Sequence, residues 1–372
     1  MRIAYVSLHW ARTKNSGVGK KMQSQLETWR GMGHEARLFM HASTGEPAER
    51  LIEAEVIPYE SRGKIFTEID RIRAARQLVD AVKKFKPDII YLRYGIYVYP
   101  AHRLMRIAPV IEEINTNDLT QHEDLGGMYS LYNRLTRGIF LRLVRGLVAV
   151  SRELEVSPAF ALYRKPTRVI ANGIDVDSFT PLPAPSNELP RLVFIGSPGY
   201  IWHGVDKLVE FARRFSDVQL DIVGYDTLPE HEPLPPNLYL HGYLSSDEYL
   251  KVLARADVAI SSLALHRIQL NEASTLKSRE CLALGLPLVA AYTDTDLDDA
   301  GFDFLLKIPN KEDNIQTHGE AIREFAYRMR GVRADRAALK ERIDSTRKEE
   351  LRLKFFEEIL SGTRIARTNT DF

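Results

Sequence analysis

Short apolar runs alternate along this chain with longer stretches in which apolar residues recur at helical spacing. Residues 3–8 predict a buried strand, and Lys20 to Gly31 predicts a helix carrying Met22, Leu26 and Trp29 on one face. Gly33 to Phe39 reads as a helix stop followed by a second strand. Further strands are predicted at Glu55 to Pro58, Asp88 to Leu92, Val110 to Ile114 and Leu147 to Ser151. Helical stretches, notably Phe66 to Lys86 and Tyr129 to Arg145, separate most of them. Such alternation predicts an α/β fold with a parallel, doubly wound sheet, ending near Lys165.

The pattern then restarts. Val169 to Gly173 reads as a strand ending in a turn, and the proline-rich segment from Pro181 to Pro190 as a linker. Strands are expected at Leu192 to Ile195, Gln219 to Val223, Leu238 to Leu240 and Val258 to Ser261. A helix is expected from Val205 to Phe215, and another opening at Ser245 with capping-box spacing to Glu248. Charged helices from Lys311 to Leu360 complete the pattern. The expected organisation is a domain over residues 1–165, a second over 166–350, and a C-terminal helix and tail over 351–372 that packs back on the first. Two such halves joined by a hinge imply a ligand at the carboxyl ends of the strands.

The most informative stretch is Asn271 to Pro287, flanked by predicted strands. It carries Glu272 and Glu280 with seven residues between them, helix-start residues Ser274 and Thr275, and a Gly285-Leu286-Pro287 stop. A helix start presents unpaired N–H groups and the positive end of its dipole, which suits a phosphate. Lys277 falls in the first turn, where the dipole disfavours a cation, and a bound anion would account for it.

Charge sharpens this picture. The net charge is only +1, but residues 1–165 hold 26 Lys and Arg against 18 Asp and Glu, while the remainder holds 25 against 32. The first half therefore suits an anionic partner. A single cysteine, Cys281, excludes an intramolecular disulfide and fits a reducing compartment. Met1-Arg2 runs straight into a strand without a signal-peptide pattern, and no apolar run reaches the ~20 residues of a spanning helix. A cytoplasmic protein, peripheral at most on the inner face of the membrane, is expected.

Several motifs combine into a family resemblance. Ser16-Gly17-Val18-Gly19 with Gly33-His34-Glu35, Ala149-Val150-Ser151, Asn172-Gly173-Ile174-Asp175 with Phe179, and Glu272 with Glu280 stand in order. Together they resemble retaining GT-B glycosyltransferases, specifically glycosyltransferase family 4 with its E-x7-E motif. The resemblance implies two Rossmann-like domains facing a cleft and transfer of a hexose-type sugar from a nucleoside diphosphate to an acceptor hydroxyl. Cell-surface glycan or glycolipid assembly is the implied setting.

By that resemblance Glu280 accepts hydrogen bonds from ribose hydroxyls, Glu272 holds the donor sugar, and Ser274, Thr275 and Leu276 meet the diphosphate. Gly17 and Gly19 would let backbone approach the donor. The family's arginine and lysine beside the leaving diphosphate are replaced here by Ser197 and His203. Lys277 is the candidate substitute cation, and His203 as imidazolium a second. Glu113 and Asn115, at the tip of a predicted strand, are acceptor candidates, with His122 and Glu123 behind them. The resemblance implies no cofactor or metal; Asp294-Thr295-Asp296, followed by Asp298 and Asp299, reads as a solvated acidic loop, with a metal site as the lesser alternative. Two alternatives stay open, a catalytically weak nucleotide- or glycan-binding protein and a nucleotide-sugar epimerase. The basic stretches 71–86 and 134–145 are either solvated helix faces or a contact for anionic membrane. No nucleic-acid module accompanies them.

Overall fold

The structure, a computed structural model, describes residues 1–8, 17–43, 54–60, 63–121 and 127–362. The chain divides into two compact units, one of Met1–Ala171 together with the chain from Ser345 onward, the other of Asn172–Asp344.

The first unit holds strands β1 (Arg2–Ser7), β2 (Glu35–Ser43), β3 (Ala54–Tyr59), β4 (Ile89–Arg93), β5 (Val110–Ile114), β6 (Gly146–Ala149) and β7 (Thr167–Val169). Helices α1 (Gly17–Gly31), α2 (Lys64–Phe85), α3 (Asp118–Gln121), α4 (Gly127–Leu143), α5 (Arg152–Val156) and α6 (Pro158–Ala161) lie between them. All seven strands are parallel, in the order β3-β2-β1-β4-β5-β6-β7. Strands covered by helices on both faces bury nearly every side chain, which is why β1 and β4 read as near-continuous apolar runs. The exception is β5, whose two glutamates, Glu112 and Glu113, are both fully buried.

In the second unit the strands are β8 (Arg191–Ile195), β9 (Gln219–Val223), β10 (Leu238–Leu240), β11 (Val258–Ile260), β12 (Glu272–Ala273), β13 (Leu288–Ala290), β14 (Thr293–Asp294) and β15 (Leu305–Lys307). Its helices are α7 (Val205–Arg214), α8 (Ser246–Arg255), α9 (Leu276–Ala283), α10 (Asn314–Arg328) and α11 (Arg336–Ile343). Six strands form a parallel sheet, β10-β9-β8-β11-β13-β15, while β12 and β14 pair separately. The capping box at Ser245 and Glu248 is formed.

A last helix, α12 (Ser345–Ser361), returns to the first unit. Its Leu353, Phe355 and Phe356 join Tyr5, Trp29 and Tyr91 in that unit's core. Trp29 and Tyr91 meet edge-on at 5.8 Å between ring centres, and Phe356 packs on both.

Two expectations about organisation change. The strand expected over Val169 to Gly173 lies earlier, as β7, which pairs with β6 and completes the first sheet, and Leu147 N–H bonds the Pro166 carbonyl to extend that ladder. The change of unit therefore falls after Ala171. The proline-rich segment is not a hinge either, because both of its flanks lie in the second unit. It is strapped there by Arg333 on Pro183 O (2.7 Å), Asn187 on Arg255 O (2.7 Å) and Leu182 N–H on Leu284 O (3.0 Å). Among the described residues no helix is long and apolar enough to cross a membrane.

Candidate functional site

Strand order in the second unit reverses between β8 and β11, the switch point at which open parallel sheets bind ligands. Four pieces of chain meet there: Gly196-Ser197 after β8, a 3-10 turn at Ile201–His203, Ser261 after β11, and the start of α9. Backbones pass closely beneath it. A Cβ on Gly224, where φ is +91°, would stand 2.0 Å from the Gly196 carbonyl oxygen, so only glycine fits.

Hydroxyl groups fix where α9 begins. Thr275 is its N-cap, and its Oγ1 accepts from Ser278 N–H at 3.3 Å. Ser278 Oγ donates to Ser261 Oγ (2.8 Å), and Tyr292 Oη lies 2.7–3.2 Å from Ser261, Ser278 and Thr275. This hydroxyl cluster ties the helix start to the end of β11. The first intrahelical bond runs from Arg279 N–H to Thr275 O, so the N–H groups of Leu276 and Lys277 precede it.

Asn172, from the Asn-Gly-Ile-Asp segment, braces the approach to the helix. Its N–H bonds Ser274 Oγ (3.0 Å) and its side-chain amide bonds Ser274 O (2.7 Å). Arg279, fully buried, donates to Asn172 O (3.0 Å) and bidentately to Asp294 (2.9 and 2.8 Å), with Asp296 at 3.0 Å. The Asp-x-Asp run is therefore not a solvated acidic loop. Asp294 and Asp296 neutralise a buried guanidinium, whereas Asp298 and Asp299 pair at the surface with Lys307 and Arg342.

The electrostatic centre is Lys277. Its Nζ lies 3.4 Å from Nε2 of His203. Tyr225 donates its hydroxyl hydrogen to Ser197 O (2.7 Å), so its oxygen is left to accept from His203 Nδ1–H (3.1 Å). That assignment leaves Nε2 unprotonated, facing the ammonium. Burial, and then the charge of Lys277, push His203 down to about 3. Burial also pushes Lys277 down to about 8. The expectation that His203 serves as imidazolium is thus corrected: the positive charge at this site belongs to Lys277, and His203 is neutral. Nearby, Arg267 donates to Ile201 O (3.3 Å) but commits its guanidinium to Asp206 and Glu312.

Glu280 sits half-buried on α9, beside the Tyr249 hydroxyl, which burial and then the charges of Cys281 and Glu280 push far up. Glu272 is half-buried in β12, paired with β14, so only Leu276 onward is helical between the two glutamates. Helical spacing does not span the pair. Thr275 and Leu276 are half-buried and Ser274 is buried at the helix start, while Ser197 is half-buried at the tip of β8.

In the first unit, α1 begins at Gly17, so Gly17 and Gly19 form its first turn rather than a loop before it; Ser16 lies outside the described residues. Glu113 receives Lys21 (2.8 Å), Arg93 (3.3 Å) and Arg352 of α12 (3.7 Å), with Asn115 on the same lysine at 3.1 Å. Burial pushes the Glu113 carboxyl up, but Lys21, Arg352 and Arg93 outweigh it and hold it well below the usual range. A fully buried carboxylate shared by three cations is a structural centre, which corrects its reading as an acceptor contact. Asn115 remains half-buried at the strand tip. His122 and Glu123 lie outside the described residues.

Sequence reasoning missed Tyr225, Tyr292, Ser261 and Arg279 at the first site and Lys21 and Arg93 at the second. Only Lys21 and Arg93 left a signal, as basic residues just after a glycine-rich helix start and at the end of a strand.

Residues 16–178 match the family model described as Glycosyltransferase Family 4. No curated protein matches by sequence. Among solved structures, sucrose-phosphate synthase from Thermosynechococcus elongatus superposes with a TM-score of 0.67 at 16% identity, covering 98% of this chain and 100% of that one. The catalytic domain of starch synthase IV from Arabidopsis thaliana, bound to ADP and acarbose, gives 0.70 at 13% identity, covering 97% and 99%. Anabaena HepE in complex with UDP and glucose gives 0.62 at 14%, covering 95% and 99%. The chain has the GT-B fold, and its residues 16–178 match the Glycosyltransferase Family 4 model.

Proposed function

We propose that this protein is a retaining glycosyltransferase that moves a hexose-type sugar from a nucleoside diphosphate to an acceptor hydroxyl. One observation carries the reading. Lys277 is half-buried in the first turn of α9, and its one hydrogen-bond partner among the described residues is the neutral ring of His203. A cation without a carboxylate, at the positive end of a helix, is a position completed by an anion. A departing diphosphate supplies two or more negative charges and gains charge as the glycosidic bond breaks, so the ammonium stabilises the transition state more than the ground state.

In this reading the helix-start N–H groups and Lys277 hold the diphosphate, with Ser197 and Ser274 lining the same end. Glu280 accepts from the ribose hydroxyls, since a carboxylate takes both donors of a vicinal diol. Glu272 holds the sugar. Within the first unit, Asn115 serves the acceptor, a glycan or a lipid-linked sugar. The charge needed on the leaving group comes from Lys277 and the helix start without a metal; Asp294 and Asp296, the nearest metal-like pair, are occupied by Arg279. A cytoplasmic role in cell-surface glycan or glycolipid assembly is the setting we propose.

Thermal-shift screening against UDP-, GDP-, ADP- and CDP-sugars tests the reading, because a ligand that binds only the native state raises its melting temperature. A shift from one donor, followed by its turnover unaffected by EDTA, is expected. No shift from any of the four removes the reading.

A further inference from the structure

The first half of helix α4 is turned inside out. Most surface helices bury their apolar stripe and present polar residues to water. Over its first half the inward face carries Asn133 and Arg137, both buried, which clamp Asp118 at 2.6 Å and at 2.8 and 2.9 Å, while Phe140 and Leu141 are buried only toward its end. The outward face carries Met128, Leu131 and Leu135, which are 68%, 58% and 74% exposed, with Tyr132 beside them. Positions i, i+3, i+4 and i+7 lie on one side of a helix, so these four form a single apolar stripe toward solvent.

Neighbouring elements extend the stripe. Tyr132 donates to Tyr97 O at 3.1 Å and feels the charges of Glu68 and Arg71, which places the start of α2 alongside. There Phe66 is 65% exposed and Ile69 is exposed as well. At the other end of α4, Leu143 and Arg145 share a small pocket with Arg106, and Lys165 donates to Arg142 O at 2.7 Å.

Charge decides what covers this face. Residues 125–152 contain five arginines and no acidic residue. Arg134, Arg142 and Arg145 are exposed along or just beyond α4. On the neighbouring α2, Glu68 and Asp70 are each paired with an arginine of that helix, at 2.8 and 3.1 Å, and Asp118 is taken by Asn133 and Arg137. A second copy seated on the same face would set one acid-free arginine helix against another. Anionic headgroups would instead neutralise the arginines while the acyl boundary takes the leucines.

We propose that the outward face of α4, with Phe66 and Ile69 of α2, docks flat on an anionic bilayer surface. The centre of contact is residues 128–135, and the later half of α2 takes no part. Vesicle binding is read without donor or acceptor, so its outcome is separate from that of glycosyl transfer.

The experiment is flotation of the full chain with phosphatidylcholine vesicles, with and without phosphatidylglycerol. Binding is expected only to the phosphatidylglycerol vesicles, weakening as salt is added. Leu131→Glu with Leu135→Glu, and separately Arg134→Glu with Arg142→Glu, should each lower binding at least tenfold at unchanged melting temperature. Leu135→Ser is the milder variant should the double leucine change disturb folding. Equal binding to neutral vesicles, no binding to either, or variants that bind like wild type each overturn the proposal. So does a concentration-dependent dimer that the leucine variants abolish while vesicles stay unbound.

Discussion

Lys277 Nζ and His203 Nε2 stand 3.4 Å apart, an ammonium facing the lone pair of a neutral imidazole. The ring orients the cation without cancelling its charge, and Tyr225 in turn orients the ring. Replacing Lys277 by Ala should therefore lower turnover by about 10²-fold, the typical cost of losing one transition-state charge contact. The fold should survive, since no carboxylate is left stranded. Steady-state kinetics beside a thermal melt would check this, and unchanged turnover would sink the assignment.

The same burial that depresses Lys277 makes it a burden on stability. Lys277 and Lys21 both release protons near pH 8 in the folded protein, against an ordinary lysine value of 10.5. Between those values the unfolded chain holds more protons, so stability should rise with pH across that window. Lys277→Met should be more stable than wild type at pH 7, by roughly 1–2 kcal/mol, and should flatten the slope. Urea unfolding from pH 7 to 10 measures both; a destabilised methionine variant would contradict the account.

The pH dependence of kcat/KM should show a basic limb near 8, where free Lys277 loses its proton. It should show no limb from His203, already neutral down to about 3. An inflection between 6 and 7 that disappears in His203→Gln would restore the imidazolium role.

Glu280→Gln should weaken binding of the best nucleoside diphosphate about tenfold, the worth of a hydrogen bond to a charged group. Its 2′,3′-dideoxy analogue should bind both forms equally. Calorimetry with the pair separates a ribose contact from a general loss of affinity.

Glu113→Gln should cost about 3–5 kcal/mol of stability, because it leaves Lys21, Arg93 and Arg352 buried with less compensation. Donor KM should stay within twofold. A fully stable variant with impaired acceptor use would return Glu113 to the acceptor site.

Element order was legible because period-two and period-3.6 patterns and glycine stops are local, and β5, α7, β9 and β10 fall within a residue of expectation. The start and the stop of α9 were legible for the same reason, through Thr275 and Gly285. Long-range pairings were not. Nothing near Arg279 announces that Asp294 and Asp296 will close on it, and the acidic run alone looks like a surface loop. Glu113 looked like a ligand contact because it stands at the tip of a predicted strand, where it also interrupts the apolar pattern. Its three partners come from α1, β4 and α12, the last more than 200 residues away, so a break in pattern marked a special position without naming its purpose.

The return of α12 to the first unit has a practical meaning for synthesis and engineering. During translation the first unit lacks Leu353, Phe355, Phe356 and the Arg352–Glu349 pair until the whole second unit has emerged. Trp29 and Gln25 then wait for Glu349, their partner at 2.8 and 3.3 Å. The first unit is thus completed last, after the insert has been synthesised. A chimaera that exchanges the second unit with that of a relative needs two junctions, after Ala171 and before Ser345, and a single cut at either one would leave half a core behind.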